Sequence, residues 1–177
     1  LINKIYVNYT FKNENRIGYF KTELINAISP RYFNNKNKIL CLNSITSILK
    51  LLLPENQKLN NVYISLDKLL LSLNNENWLT DYLNWELDLI SDLGYGFDTS
   101  KYNKNYDKKV FNIVIDNIEY KIPTFLLSKN TSKVSFLEVY EGLIFCRTLM
   151  ENKFFIPNNI KFPQSRKIFE NKFFKPI

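Results

Sequence analysis

Glu86 is a carboxylate set among leucines. It follows Leu83 by three positions and precedes Ile90 by four, so a helix would carry it inside an apolar stripe. A carboxylate buried without a partner is costly. Glu86 must therefore either act as a structural hub, paired with a cation such as Arg147, or sit at the rim with its head in water. No second carboxylate or base is spaced to work beside it as a general acid. The chain has no histidine. That removes imidazole acid–base chemistry, Ser-His and Cys-His nucleophiles and most zinc sites. No CxxC pair, P-loop or GxSxG elbow is present. The residues point to no catalytic site, metal, cofactor or small-molecule substrate.

Two other groupings suit binding. Lys4, Lys12, Arg16 and Lys21, with Arg31 just beyond, interleave with Tyr6, Tyr9, Tyr19 and Phe20. Cations beside rings on a sheet fit single-stranded nucleic acid, where phosphates meet charge and bases stack. A solvated strand face over core aromatics is the alternative. In the last third, Arg147, Lys153, Lys161, Arg166, Lys167, Lys172 and Lys175 alternate with Phe154, Phe155, Phe162, Phe169, Phe173 and Phe174. An apolar groove with a cationic rim would take an acidic, aromatic-ended peptide, with Arg147, Arg166, Lys167 and Phe169 as the contacts. The alternative is a terminal helix docked by its phenylalanines, lysines outward.

Charge is segregated along the chain. Residues 1–60 carry net +6, residues 61–120 net −5 and residues 121–177 net +6. Basic ends around an acidic middle suggest a surface that faces a polyanion. Between residues 69 and 100 there is no Lys or Arg, while Glu76, Asp81, Glu86, Asp88, Asp92 and Asp98 accumulate. That stretch should repel phosphate. Cys41 and Cys146 lie far apart in apolar surroundings and read as reduced core thiols, one disulfide being the alternative. No apolar run reaches the roughly 18 residues that span a bilayer, so no membrane role is expected.

The elements that would position these residues follow from periodicity. Ile5, Val7, Tyr9 and Phe11 alternate with polar neighbours, Lys12 to Arg16 is a polar turn, and Ile17 to Ile25 is a second strand. A lone hairpin is marginal in water, so more strands are expected beside it. After Ser29-Pro30 the pattern becomes helical. Leu42, Ile45, Ile48, Leu49 and Leu52 form one stripe, and Val62, Leu66, Leu69, Leu70 and Leu73 a second. Leu79, Leu83, Leu87, Ile90 and Leu93 form a third, closed by Gly94. Short links predict antiparallel neighbours. Val110–Ile115 and Ile118–Ile122 flank an Asp116-Asn117 turn. Ser135 to Glu138 is a capping box opening a helix through Met150, and Pro163 starts a last helix through Phe174.

Trp85-Glu86-Leu87 through Leu93-Gly94-Tyr95-Gly96-Phe97-Asp98 resembles the helix and exit turn of the RecO recombination mediator family. Trp85, Glu86, Gly94 and Gly96 would be its structural positions. The surrounding order fits too. Gly18 to Ile25 resembles the last strand of the family's N-terminal OB domain. Ile122 to Leu126 resembles the link after its β insert, and Phe162-Pro163-Gln164-Ser165-Arg166 resembles its terminal Leu-Pro-x-x-Arg. The chain opens on Leu1, and its only methionine is Met150, which reads as a piece of a longer protein lacking most of that OB domain.

The resemblance implies a mainly α fold: a C-terminal helical bundle with a small β-hairpin insert, preceded by a β-hairpin remnant of an OB-fold. Residues 1–28 would be the last OB strands, and residues 29–177 the helical domain with its insert near 110–122. It implies a DNA repair and homologous recombination mediator that binds single- and double-stranded DNA and promotes annealing. With RecR it would help load recombinase onto strands coated by single-stranded-DNA-binding protein (SSB), whose C-terminal tail it would bind. The location implied is the bacterial cytoplasm, associated with the nucleoid. Some members carry a zinc-binding cysteine cluster after the glycine turn. Here Ser100, Lys101, Tyr102 and Asn103 follow, so no zinc is expected. A helical protein–protein adaptor with no nucleic-acid role is the competing reading.

Overall fold

A computed structural model describes residues 2–11, 18–102, 109–128 and 134–173. Strands β1 (Lys4–Thr10) and β2 (Tyr19–Asn26) pair antiparallel as a two-stranded hairpin. A 3-10 turn at Ser29–Tyr32 leads into three helices: α1 (Lys36–Leu52), α2 (Asn60–Ser72) and α3 (Trp78–Ile90). Strands β3 (Val110–Ile115) and β4 (Ile118–Pro123) make the second hairpin. The short α4 (Thr124–Ser128), then α5 (Phe136–Met150) and α6 (Gln164–Asn171), complete the order. The fold is mainly α, a helical bundle with a β-hairpin insert, as the sequence pattern and the resemblance predicted.

Local chemistry explains the boundaries. The Asn35 side chain accepts from the Lys38 N–H and caps α1, which stops before Pro54. Ser135 and Glu138 satisfy each other's backbone donors at the start of α5, a complete capping box. Asp116 and Asn117 both take positive φ, the two-residue turn that right-handed strand twist favours. The third helix runs on through a wide turn at Ser91–Tyr95, in which Gly94 adopts φ +91°. A Cβ on Gly94 would meet nothing within 4 Å, so the demand there is conformational rather than steric. Gly96 is the opposite case: an added Cβ would come within 2.5 Å of the Ser91 hydroxyl.

Packing departs from the simplest expectation. α1 packs mainly on α6 and α2 on α3, so α1's chief neighbour is remote in sequence; α5 lies between α3 and β4. The predicted stripe of α1 does face the core, with Leu42, Ile45 and Ile48 fully buried. On α3 the buried face is rotated from the leucine stripe. Tyr82, Leu83, Trp85, Glu86, Leu89 and Ile90 are inside, whereas Leu79, Leu87 and Leu93 are only half-buried. Leucine marks that face poorly, because the helix buries its aromatics and its carboxylate. Pro163 stands just before α6 rather than within its first turn, and α6 ends at Asn171.

The first hairpin stands apart from this core. Ile5, Val7, Tyr9, Phe11, Phe20 and Leu24 are exposed, although alternation suggested that one strand face would be half-buried. Within the described residues the sheet has two strands, too few to cover a face.

Gly94→Ala should cost about 1 kcal/mol, because an alanine at that positive φ is strained. The urea midpoint of the purified protein checks it, and an unchanged midpoint would show that the turn relaxes freely.

Candidate nucleic-acid interface and the buried polar cluster

Two places gather the polar residues singled out above. The first lies at the centre of the bundle. Glu86 on α3 and Arg166 on α6 are both completely buried and meet side-on, with Arg166 Nε 2.7 Å from Glu86 Oε1 and Nη2 3.0 Å from Oε2. Nη2 also donates to the Leu143 carbonyl on α5 at 2.9 Å, and Nη1 donates to Glu170 at 3.2 Å. Four of the five guanidinium N–H groups are therefore used. The Tyr82 hydroxyl donates to Glu86 Oε1 at 2.5 Å and is itself 2.8 Å from the Ser44 hydroxyl on α1. The guanidinium sits 5.8 Å from the Tyr82 ring centroid. Glu170 extends the network to Arg147, which also lies 3.6 Å from Glu151.

The geometry settles the open question about Glu86. It has neither a rim position nor Arg147 as its cation: Arg166, 80 positions away, is the partner. Burial alone would disfavour a charged Arg166, but the adjacent Glu86 carboxylate outweighs it and the pKa rises further above its already high value. The same environment acts on the thiols. Cys41 and Cys146 are buried and unpaired, and burial, reinforced by the Glu86 charge, pushes both well above the ordinary thiol range.

Arg166 and Phe169 were expected to contact a partner peptide. Both are fully buried and have no surface to offer one. Phe169 packs edge-on against Tyr82 at 5.0 Å. Arg147 and Lys167 are half-buried, Lys167 lying 6.0 Å from the Phe162 ring. Trp85 lies in the core beside Tyr82.

The second place is the first hairpin. Its register sorts the two faces, because directly paired residues share a side. Ile5 pairs with Leu24, Val7 with Thr22 and Tyr9 with Phe20, so one face is apolar. The Tyr9 and Phe20 rings lie 4.9 Å apart on it. Asn8 pairs with Lys21, Thr10 with Tyr19 and Tyr6 with Glu23. The other face therefore carries Lys21 among exposed Tyr6 and Tyr19. Lys4 is engaged with Asp67 of α2 at 3.3 Å and lies over the Tyr63 ring. Arg31 donates to the Asn26 side chain at 2.6 Å. Lys12 and Arg16 lie outside the described residues.

The described residues form a helical scaffold closed on a buried arginine–glutamate pair, with a β-hairpin insert and an exposed hairpin that carries Lys21 beside Tyr6 and Tyr19. The model of the family described as Recombination protein O C terminal matches residues 34–108, which covers α1 to α3 and includes Glu86 but not Arg166. A DNA repair protein RecO of Wolbachia pipientis wMel is 26% identical over 188 aligned residues, covering 94% of this chain and 78% of the relative. The protein of that name from Rickettsia canadensis is 30% identical over 158 residues, 81% of this chain and 65% of the relative. That of Ehrlichia chaffeensis is 37% identical over 100 residues, 54% of this chain and 41% of the relative. The matches to the Ehrlichia and Rickettsia proteins thus span less than two thirds of those proteins. No solved structure matches significantly. The chain is thus similar to RecO proteins over most of its length, and to the C-terminal family model over residues 34–108.

Arg166→Met should cost about 3–5 kcal/mol by leaving Glu86 buried without its cation. Denaturant unfolding of the double variant Glu86→Leu/Arg166→Met tests the coupling, because that variant should lose much less than the two single variants added together. Additive losses would mean that the two residues act independently. In the native protein Ellman's reagent should find neither Cys41 nor Cys146, and in guanidinium it should find both.

Proposed function

We propose that this chain serves DNA repair and homologous recombination as a non-catalytic mediator. It binds single- and double-stranded DNA, promotes annealing of complementary strands, and helps load a recombinase onto SSB-coated single strands together with RecR. Residues 1–28 act as the last strands of an OB-fold and residues 29–177 as the helical domain. The work is done by differential binding, in the bacterial cytoplasm at the nucleoid.

The observation that carries this reading is the polar face of the first hairpin. Lys21 stands there between Tyr6 and Tyr19, all three exposed, with Asn8 and Thr10 beside them. Rings that accept stacked bases, around a cation that meets the backbone, suit a single strand. Lys4 is the weaker candidate, since Asp67 already neutralises it; Arg31, Lys12 and Arg16 complete the proposed DNA-binding set. For the acidic SSB tail, Arg147 and Lys167 remain the contacts. Arg166 serves from beneath, through the shared Glu170 carboxylate that holds Arg147. The relatives named DNA repair protein RecO support the biological setting.

Fluorescence anisotropy of the full-length protein on a labelled single-stranded oligonucleotide tests the proposal. Tyr19→Ala should cost about 1–3 kcal/mol of binding. Lys21→Glu should lower the slope of log affinity against log salt by about 0.7, one phosphate contact. If both variants bind like the parent, and the parent fails to anneal complementary strands, the reading is wrong.

A further inference from the structure

A second basic surface lies on the segment that leads from the first hairpin into α1. Residues 24–54 contain no Asp or Glu, and their cations are Arg31, Lys36, Lys38 and Lys50. The first three fall within eight positions. Arg31 and Lys36 are exposed. Lys38 is half-buried, its ammonium held 5.2 Å from the Tyr32 ring centroid. Among the described residues no carboxylate pairs with any of the three, and Arg31 donates instead to the neutral Asn26 side chain. Phe33 stands between them in the sequence and is 69% exposed.

These residues do little for the fold where they stand. Lys36 and Lys38 lie in the first turn of α1, which holds no acidic residue. The helix dipole already makes that end positive, so carboxylates stabilise it and lysines do not. Phe33 leaves most of its ring in water. Cations set against the local preference, with an exposed ring among them, suit a ligand that brings negative charge and flat apolar faces. A single nucleic-acid strand brings both, as phosphates and unstacked bases. The surface is also separate from the Lys21 face. Arg31 meets Asn26 at the foot of β2, five residues beyond Lys21, or about 17 Å at ~3.4 Å per residue.

We propose that Arg31, Phe33, Lys36 and Lys38 hold a second single strand while the hairpin holds the first. Resting on the mediator reading, this second site supplies what annealing requires, two strands on one molecule before they pair. The three cations neutralise phosphates of the second strand, and Phe33 stacks on one of its bases. Arg31, tied to the foot of the hairpin, stands where the two surfaces meet. Both strands are then held within about 17 Å of each other along β2.

The probes are two non-complementary oligonucleotides of about eight nucleotides, one carrying a fluorescence donor and the other an acceptor, titrated against the full chain. The parent should bind two strands per chain and show energy transfer between them. Lys36→Glu/Lys38→Glu should bind one strand, lose the energy transfer, and anneal complementary strands about tenfold more slowly. Acids in that turn favour the helix, so the thermal midpoint of this variant should hold or rise, and its lost binding cannot come from unfolding. Phe33→Ala should weaken the second binding step about tenfold. Tyr19→Ala should weaken the first step only, and Lys50→Glu, on the last turn of α1, neither step. Three results would overturn the proposal: a single strand per parent chain, two strands with unchanged annealing in Lys36→Glu/Lys38→Glu, or a glutamate octapeptide that competes for the second step as well as an oligonucleotide does. A parent that binds one strand fails this second site alone, whereas a parent that binds none fails the mediator reading with it.

Discussion

One guanidinium decides how the helices of this domain can pack. Arg166 on α6 reaches Glu86 on α3 and a backbone carbonyl on α5, and Tyr82 passes the network on to Ser44 of α1. Bringing a full positive charge into an apolar bundle costs several kcal/mol before any bond is made. Only an arrangement that supplies the side-on carboxylate and the remaining acceptors recovers that cost. Rotating α3 by one residue about its axis would swing Glu86 away by about 100° and leave both charges uncompensated. Hydrophobic burial alone is non-directional and would tolerate several rotations of a leucine-rich helix. The pair therefore contributes more to choosing one packing than to the total stability of the bundle.

That choice explains why α3 looks wrong when read for leucines. The helix offers two overlapping stripes, and the one with more leucines is not the one that faces inward. With Glu86 required at the centre, Tyr82 and Leu89 must come with it, and Leu79, Leu87 and Leu93 turn toward the margin. The same requirement spends residues that otherwise look available for binding. Arg166 and Phe169 have the composition of a cationic, aromatic docking surface, yet one is the hub and the other closes over Tyr82. Composition reports what a segment contains, and packing decides what it can still offer.

The legible part of the structure was the part governed by short-range rules. The capping box at Ser135, the Asp116-Asn117 turn, the stripe of α1 and the limits of β3 are all decided within a few residues of themselves. The pairing of α1 with α6 and of Glu86 with Arg166 is decided across more than 80 and by 80 positions respectively, and no periodicity encodes it. A buried arginine was the signal that could have been sought: a lone carboxylate in an apolar stripe demands a cation, and the best candidate has apolar residues on its own helical face. Arg166 has Phe169 at i+3 on α6, and Phe162 stands just before that helix.

The base of the hairpin shows how the two charged territories are joined. The Asn3 side chain accepts from the backbone of Ile28 and Ser29, and the Ser29 hydroxyl donates to the Ile2 carbonyl, so the two ends of the hairpin are tied to the chain entering the bundle. Lys4 then crosses to Asp67 on α2. Its neutral links are insensitive to salt, whereas the Lys4–Asp67 contact is half-exposed and screened at physiological ionic strength, where the Debye length is ~8 Å. The hairpin is thus fixed in place by hydrogen bonds and only trimmed in angle by charge. A polyanion on the Lys21 face therefore need not compete for the anchoring contacts, because Lys21 and its tyrosines take no part in them. Attachment and the proposed recognition fall on different residues of the same two strands, so one can vary without undoing the other.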